Sequence, residues 1–259
     1  MQIDKTLFPE SSHKRIDLLL SKEWPEAAPS YLICETDNES DKFDRANGIL
    51  DWMKIPIKNK KFLDFGCGEG HLTKISADLT SFSLGYDLEK TGNLLWEEPD
   101  IKGSFLTTDF EKVKSNAPYD VICLYDVLDH SESPVAVLSQ IKDLCNSDTR
   151  VLVRCHSWMS RHGAHLYKEL NKAWIQVFFS EQELALMGLK VKTTQKYFFP
   201  LDTQRAWFTG FNIESSDIEK SFVDNFFRQP ELAQKIVGFK EFPEWQLSQS
   251  FNDYALKLQ

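Results

Sequence analysis

Residues 63–70 read LDFGCGEG: an apolar run ends at Asp64, glycines alternate at Gly66, Gly68 and Gly70, and a helical pattern opens within a few residues. Glycine tolerates positive φ and lets the main chain approach a ligand with no Cβ in the way. Alternating glycines at a strand-to-helix turn therefore predict a group held against the loop. A tight structural turn is the plainer reading, but a strand before and a helix after are the context that a binding loop requires. A nicotinamide dinucleotide loop would read G-x-G-x-x-G, whereas His71 stands here in the third-glycine place. The spacing points away from a pyrophosphate ligand.

From Lys61 onward, short apolar runs alternate with helical stretches, the pattern of a parallel sheet built from βαβ units. Strands are predicted over residues 62–65, 83–87, 104–107, 121–125 and 151–155. Helices are predicted over 72–79, near 92–96 and over 134–144, where Ser133 can cap and Pro134 takes the first helical position. Further on, 166–177 and 181–187 read as helices, the second with Ser180 and Glu183 at capping-box spacing, and 189–199 reads as a strand. Ahead of the glycine loop, 14–21 and 42–53 read as helices; Phe43, Ala46, Ile49, Leu50 and Met53 fall on one face of the second. The aromatic-rich stretch 200–250 suggests a hairpin strand at 206–211 and helices at 217–227 and 230–237, and 251–258 alternates like a last strand. The expected organisation is an N-terminal helical cap over 1–58, a core over 59–199 and 251–259, and a lid or interface region over 200–250.

Composition sets the outer bounds. The 259 residues carry 30 Lys and Arg against 39 Asp and Glu, a formal charge of −9, and 42% are hydrophobic. A chain of this length buries enough surface to stand without disulfides or a structural metal. The longest apolar stretch, around 121–128, is broken by Asp126, so no membrane span is expected, and the N-terminus lacks a basic start followed by an apolar block. Cys34, Cys67, Cys123, Cys145 and Cys155 never form a C-x-x-C pair, so reduced thiols in a cytoplasmic protein are the expectation. A pI near 5.2 argues against a sequence-independent grip on nucleic acid.

The glycine stretch resembles the first motif of the class I S-adenosylmethionine-dependent methyltransferases, and later segments resemble the family in order. SLGYDLE ends the second strand, TTDF the third, DVICLYDVLDHSESP carries the fourth, and FSEQELALMGLK leads toward the sixth. The resemblance covers about 60–199 and the tail 251–258. It implies an α/β fold with a seven-stranded, mostly parallel Rossmann-like methyltransferase sheet, helices on both faces, and S-adenosyl-L-methionine as cofactor. It further implies a cofactor site of Asp64, Gly66, Cys67, Gly68, Gly70, Asp87, Leu88, Asp109, Phe110, Tyr125 and Asp126. In that set Asp87 accepts from the ribose hydroxyls, a task for which a carboxylate has lone pairs enough, Asp109 and Phe110 meet the adenine, and Asp126 faces the methionine end. The family's Pro-Gly-Gly turn before the fifth strand is replaced by CNSDTR at 145–150, which alters a loop.

Candidate bases lie where ligands of open α/β sheets bind, beyond the C-terminal strand ends. His130 follows the fourth strand, with a packing role as its alternative. After the fifth strand, RCHSWMSRHGAHLY gathers Arg154, His156, Trp158, Arg161, His162 and His165. Three readings stand for this cluster. It is a substrate pocket, with His156 or His162 as base and Arg154, Trp158, Arg161 and His165 as substrate ligands; or it covers the sheet edge; or His156, His162 and His165 hold a metal, although the spacing matches no metal-specific pattern. We expect no metal. The fourth strand lacks the Asn/Asp-Pro-Pro-Tyr sequence of nucleic-acid amino methylators, and with the acidic balance this favours a small-molecule acceptor: a hydroxyl, amine or carbon acid of a metabolite, an anionic one included. Action on nucleic acid or a modified nucleotide, and a non-catalytic cofactor-binding module, are the alternatives. A monomer or homodimer is expected.

Overall fold

The computed structural model describes residues 3–27, 38–97, 104–161, 163–191, 206–219 and 251–259. Five parallel strands form the centre of the sheet: β1 (Lys61–Phe65), β2 (Phe82–Tyr86), β3 (Phe105–Thr107), β4 (Val121–Tyr125) and β5 (Arg150–His156). With β6 (Phe211–Glu219) and β7 (Phe251–Leu258) they make a seven-stranded sheet in the order β3-β2-β1-β4-β5-β7-β6. The order reverses between β1 and β4, and this is the switch point outside which such sheets bind ligands. Registers Leu63↔Leu84 and Leu63↔Ile122 put the β1 end between the ends of β2 and β4. Phe62, Leu63, Leu84, Ile122, Leu124 and Val153 are fully buried, as the unbroken apolar runs of a sheet covered on both faces require.

The described residues fall into two compact units. The first holds 3–27, 156–161, 163–191, 218–219 and 251–252; the second holds 38–155, 206–217 and 253–259. Helix α1 (Glu10–Leu20) belongs to the first unit and α2 (Glu39–Met53) to the second. Asn38 caps α2, its Oδ1 accepting from the Asp41 amide at 2.8 Å. The predicted apolar face of α2 turns Ala46 and Met53 into a core with Phe62, Leu72, Val121 and Leu152. In the second unit α3 (His71–Ala77), α4 (Phe110–Ser115) and α5 (Pro134–Lys142) follow β1, β3 and β4. Ser133 caps α5 as expected, accepting from the Ala136 amide at 3.3 Å.

The first unit packs α1 with α6 (Ile175–Phe178) and α7 (Glu181–Leu186) around Ile16, Leu19, Trp24, Trp174, Phe178 and Phe179. The Ser180/Glu183 capping box forms in full at the start of α7. A helix over 166–177 does not form: only Ile175–Phe178 is helical. His165 and Trp174 take φ of 53° and 57°, left-handed backbone that ends a helix at either side. Trp24 Nε1 donates to the Ala173 carbonyl at 2.8 Å, so tertiary packing of indoles, not local periodicity, sets this stretch.

Two expectations inside 200–250 are corrected. Residues 206–208 are a 3-10 turn, and the strand begins only at Phe211. Residues 217–219, expected to open a helix, finish β6, the edge strand of the sheet. The strand expected at 189–199 and the helices at 220–227 and 230–237 lie, from 192 on, outside the described residues. Among those residues no helix is long and apolar enough to cross a membrane.

Candidate active site

The glycine loop leaves β1 with φ of 80° at Gly66, 52° at Gly68 and 93° at Gly70. A Cβ on Gly66 would come within 2.4 Å of Val127 Cγ2, so this glycine is what lets the segment after β4 lie against the loop. Gly68 is the opposite case: a Cβ there would meet nothing within 4 Å, because the loop faces open space. The amides of Gly66 and Cys67 both donate to the Tyr86 carbonyl, at 2.7 and 3.0 Å. The Gly68 amide donates to Asp87 Oδ2 at 2.7 Å, and the Gly70 amide to the Cys67 carbonyl at 2.9 Å. Four loop donors are therefore committed within the protein, and an anionic phosphate would find them taken.

Carboxylates follow β2 and β3. Asp87, half-buried at the end of β2, accepts from the amides of Gly68 and Leu88 at 2.7 Å each and keeps a lone pair on each oxygen for a further donor. Leu88 is 79% exposed beside it. Asp109 is exposed, and its carboxylate caps α4 through the Glu111 amide at 3.0 Å. Phe110, Phe65 and Tyr86 cluster at ring-centroid distances of 5.1–6.5 Å, with Phe65 and Tyr86 buried and Phe110 half-buried. Trp96 Nε1 donates to the Gly68 carbonyl at 3.0 Å and pins the loop from outside.

A cleft of about 250 Å³ opens between the loop, α2 and β4, lined by Lys42, Arg45, Asp64, Gly66, His71 and Tyr125 among others. Asp64 is buried at its floor and accepts from Thr73 Oγ1 at 2.9 Å. Burial raises its carboxyl to about 7; the hydrogen bond from Thr73 pulls the other way, and the charge of Asp87 adds to the rise. Burial also holds Cys67 as a neutral thiol, so its part in the loop is played by its backbone. Asp126 adopts φ of 56° directly after β4, its amide donating to the Arg154 carbonyl at 2.8 Å. Burial first, then Asp129, pushes its carboxyl well above the usual range, while Arg154 and Arg45 oppose the rise. Left-handed backbone at a non-glycine residue is tolerated best by Asp and Asn and is concentrated at functional sites.

A charged network joins α2 to the loop. His71 Nε2 lies 2.8 Å from Glu39, Lys42 Nζ lies 2.7 Å from Glu69, and the Asn93 amide donates to both carboxylates. Glu39, Glu69 and His71 bring possible ligand atoms within 4.8 Å of one another, but the Lys42 ammonium already supplies the positive charge that the carboxylates need. Sequence reasoning missed Lys42 and Arg45, because α2 was read for its apolar face alone.

Of the candidate bases, His130 follows β4 with its side chain 40% exposed, its Nε2 3.8 Å from the buried Asp129 carboxylate. His162 lies outside the described residues. His156 is buried in the first unit, edge-on to His165 at 4.8 Å. The expected substrate ligands are largely accounted for within the protein. Arg154 forms a bidentate pair with Asp253, both bonds 2.7 Å. Trp158 is a core residue of the first unit, and Arg161 donates to the Glu26 carbonyl. Sequence proximity brought these groups together, but Arg154 and Arg161 found partners in distant segments.

A family model described as a methyltransferase domain matches residues 33–192. The ubiquinone biosynthesis O-methyltransferase of Xylella fastidiosa (strain 9a5c) is 27% identical over 112 residues, 40% of this chain and 46% of that protein. The tRNA U34 carboxymethyltransferase of Vibrio campbellii (strain ATCC BAA-1116) is 27% identical over 150 residues, 53% of this chain and 45% of that protein. The chain thus spans about half the length of the curated relatives it matches. Among solved structures, an S-adenosylmethionine-dependent methyltransferase from Mesorhizobium loti superposes with a TM-score of 0.52 at 15% identity, covering 83% of this chain and 99% of that one. At that identity the likeness speaks to the fold.

Proposed function

The chain belongs to the methyltransferase-domain family, and from that premise we propose that it methylates a hydroxyl, amine or carbon acid of a small metabolite, with the cleft between the glycine loop, α2 and β4 as its cofactor site. It is a class I S-adenosylmethionine-dependent methyltransferase. When bound, the cofactor supplies a sulfonium whose methyl group is strongly electrophilic, so the hard chemistry is its own. The protein has to bind, orient and exclude water.

The observation that carries the site is the state of the loop donors. With the amides of Gly66, Cys67, Gly68 and Gly70 engaged internally, the loop suits a nucleoside without phosphates, while Asp87 stands ready to accept from a sugar diol. Glu69 on the loop and Lys42 and Arg45 on the α2 wall give the cleft both signs of charge, and the Asp64 carboxyl on its floor can ionise beside a cation, which matches a zwitterionic amino-acid tail. Half-buried Phe110, backed by Phe65 and Tyr86 and next to Asp109, suits a purine face and its amino group. His130, with part of its side chain exposed to solvent, is the residue we assign as base; a positioned base contributes about 10²–10⁴-fold.

The test is an acceptor panel of phenols, amines and carboxylic acids, scored by formation of S-adenosylhomocysteine. Turnover of a small acceptor that falls at least a hundredfold in His130→Ala, with cofactor affinity unchanged, is the expected result; equal turnover returns His130 to a packing role. The likeness to a tRNA-modifying enzyme gives a second reading its footing. It requires RNA binding that weakens steeply with salt, and salt-insensitive or absent binding would exclude it.

A further inference from the structure

The main chain at Gly68 is held by hydrogen bonds where packing gives it little. A Cβ there would meet no atom within 4 Å, and φ is 52°, so no neighbour restricts the residue on that side. Glycine has the widest choice of φ and ψ, and something else must remove that choice here. Two bonds do so, one on each peptide plane beside the Gly68 Cα. Its amide donates to Asp87 Oδ2 at 2.7 Å, and its carbonyl accepts from Trp96 Nε1 at 3.0 Å. The Leu88 amide holds the other Asp87 oxygen, also at 2.7 Å. Trp96, the Gly68 peptides and Asp87 thus form one chain of bonds, which ends on a carboxylate engaged at both oxygens.

Trp96 is itself held in place. It is 7% exposed and belongs to the 3-10 turn Leu94–Glu97, its amide bonded to the Asn93 carbonyl at 3.2 Å. Asn93 fastens the same turn to the loop: its Oδ1 accepts from the Leu95 amide at 2.9 Å, and its Nδ2 donates to Glu69, the residue after Gly68, at 2.9 Å. The turn grips the loop at two successive residues, and the indole N–H is the grip that reaches the main chain. We propose that Trp96 is a positioning residue: through the Gly68 peptides it holds the Asp87 carboxylate in one orientation, so that the lone pairs left on it form a fixed acceptor pair for the sugar hydroxyls of the cofactor. An acceptor ordered before binding spares the ligand the cost of ordering it. Without the indole N–H, the Gly68 carbonyl can turn to water across the open space, so the chain keeps its fold while the bond to Asp87 loses its fixed direction.

The proposal rests on the cofactor reading above, and two ligands tell them apart: S-adenosylhomocysteine and its 2′,3′-dideoxy analogue, which lacks the sugar diol. In calorimetry on the full chain, Trp96→Phe, which keeps a ring in the buried site and loses the N–H, should weaken S-adenosylhomocysteine about tenfold and leave the dideoxy analogue unchanged. The double variant Trp96→Phe/Asp87→Ala should bind no more weakly than Asp87→Ala alone, because both act through one carboxylate. If Trp96→Phe does not fold, 3-benzothienylalanine placed at position 96 decides the matter, since it exchanges the N–H for sulfur at nearly the same shape. Unchanged affinity for S-adenosylhomocysteine, equal weakening of both ligands, or additive losses in the double variant would overturn the proposal and leave Trp96 a packing residue. A wild-type chain that binds both ligands alike would remove Asp87 as the sugar acceptor, and one that binds neither would remove the cofactor reading; the proposal falls with either.

Discussion

The loop after β1 and the segment after β5 both carry dense runs of candidate residues, yet the chain uses them in opposite ways. After β1 the main-chain amides shape the turn by bonding within the protein, and what is left for a ligand is the open space at Gly68 and the Asp87 carboxylate with its free lone pairs. After β5 the polar side chains are drawn into the protein's own framework: Arg154 to Asp253, Arg161 to the Glu26 carbonyl, Trp158 into a core. A backbone-built site is written in local spacing, because a turn is made by neighbours in sequence. A side-chain site depends on which distant groups arrive, and a histidine-arginine cluster looks the same before and after they do.

Variants can break this contrast. The largest effect is expected from Trp158→Ala. If the segment after β5 is framework, the change should cost about 3–5 kcal/mol of unfolding free energy in denaturant melts, whereas a loss below 1 kcal/mol with impaired turnover would restore it to the substrate pocket. Gly68→Val comes next. A β-branched residue at a φ of 52° is strained and projects into the open space, so cofactor affinity should fall about a hundredfold or more in calorimetry while circular dichroism shows a folded chain. Full affinity would show that the open space is not the site.

Asp87→Ala should cost roughly 10- to 50-fold in affinity, the worth of hydrogen bonds to a carboxylate. Asp87→Asn, which keeps one acceptor, should lie between. The smallest effect sharpens the comparison through pH. Asp64 has its carboxyl raised to about 7 by burial, so in the free protein its neutral form is favoured. Its contribution to stability is present below its ordinary value of 3.8 and is lost as pH rises through about 7. A cationic ligand beside it favours the charged form, so binding should release a proton. Affinity should then rise with pH up to about 7, by at most about tenfold per unit, and flatten in Asp64→Asn. A pH-independent affinity in the wild-type chain would mean that Asp64 does not face the cationic tail.

Sequence alone determined what neighbours along the chain determine. The βαβ order, the glycine turn, the Ser133 and Ser180 caps and the carboxylates at the strand ends all follow from spacings of a few residues, and all stand in the structure. So does the last strand, whose alternation is visible without knowing its partners. Tertiary structure decided the rest. Arg154 meets Asp253 across 99 residues, and Trp24 meets Ala173 across 149, contacts with no local signature. The helix expected over 166–177 gave way to those contacts, α2 gained a charged wall because the glycine loop lies beneath it, and Asp64 gained its raised carboxyl because a sheet and a helix closed over it. Periodicity encodes which face of an element is apolar. Desolvation and pairing depend on what that face is brought against, and only the folded chain supplies it.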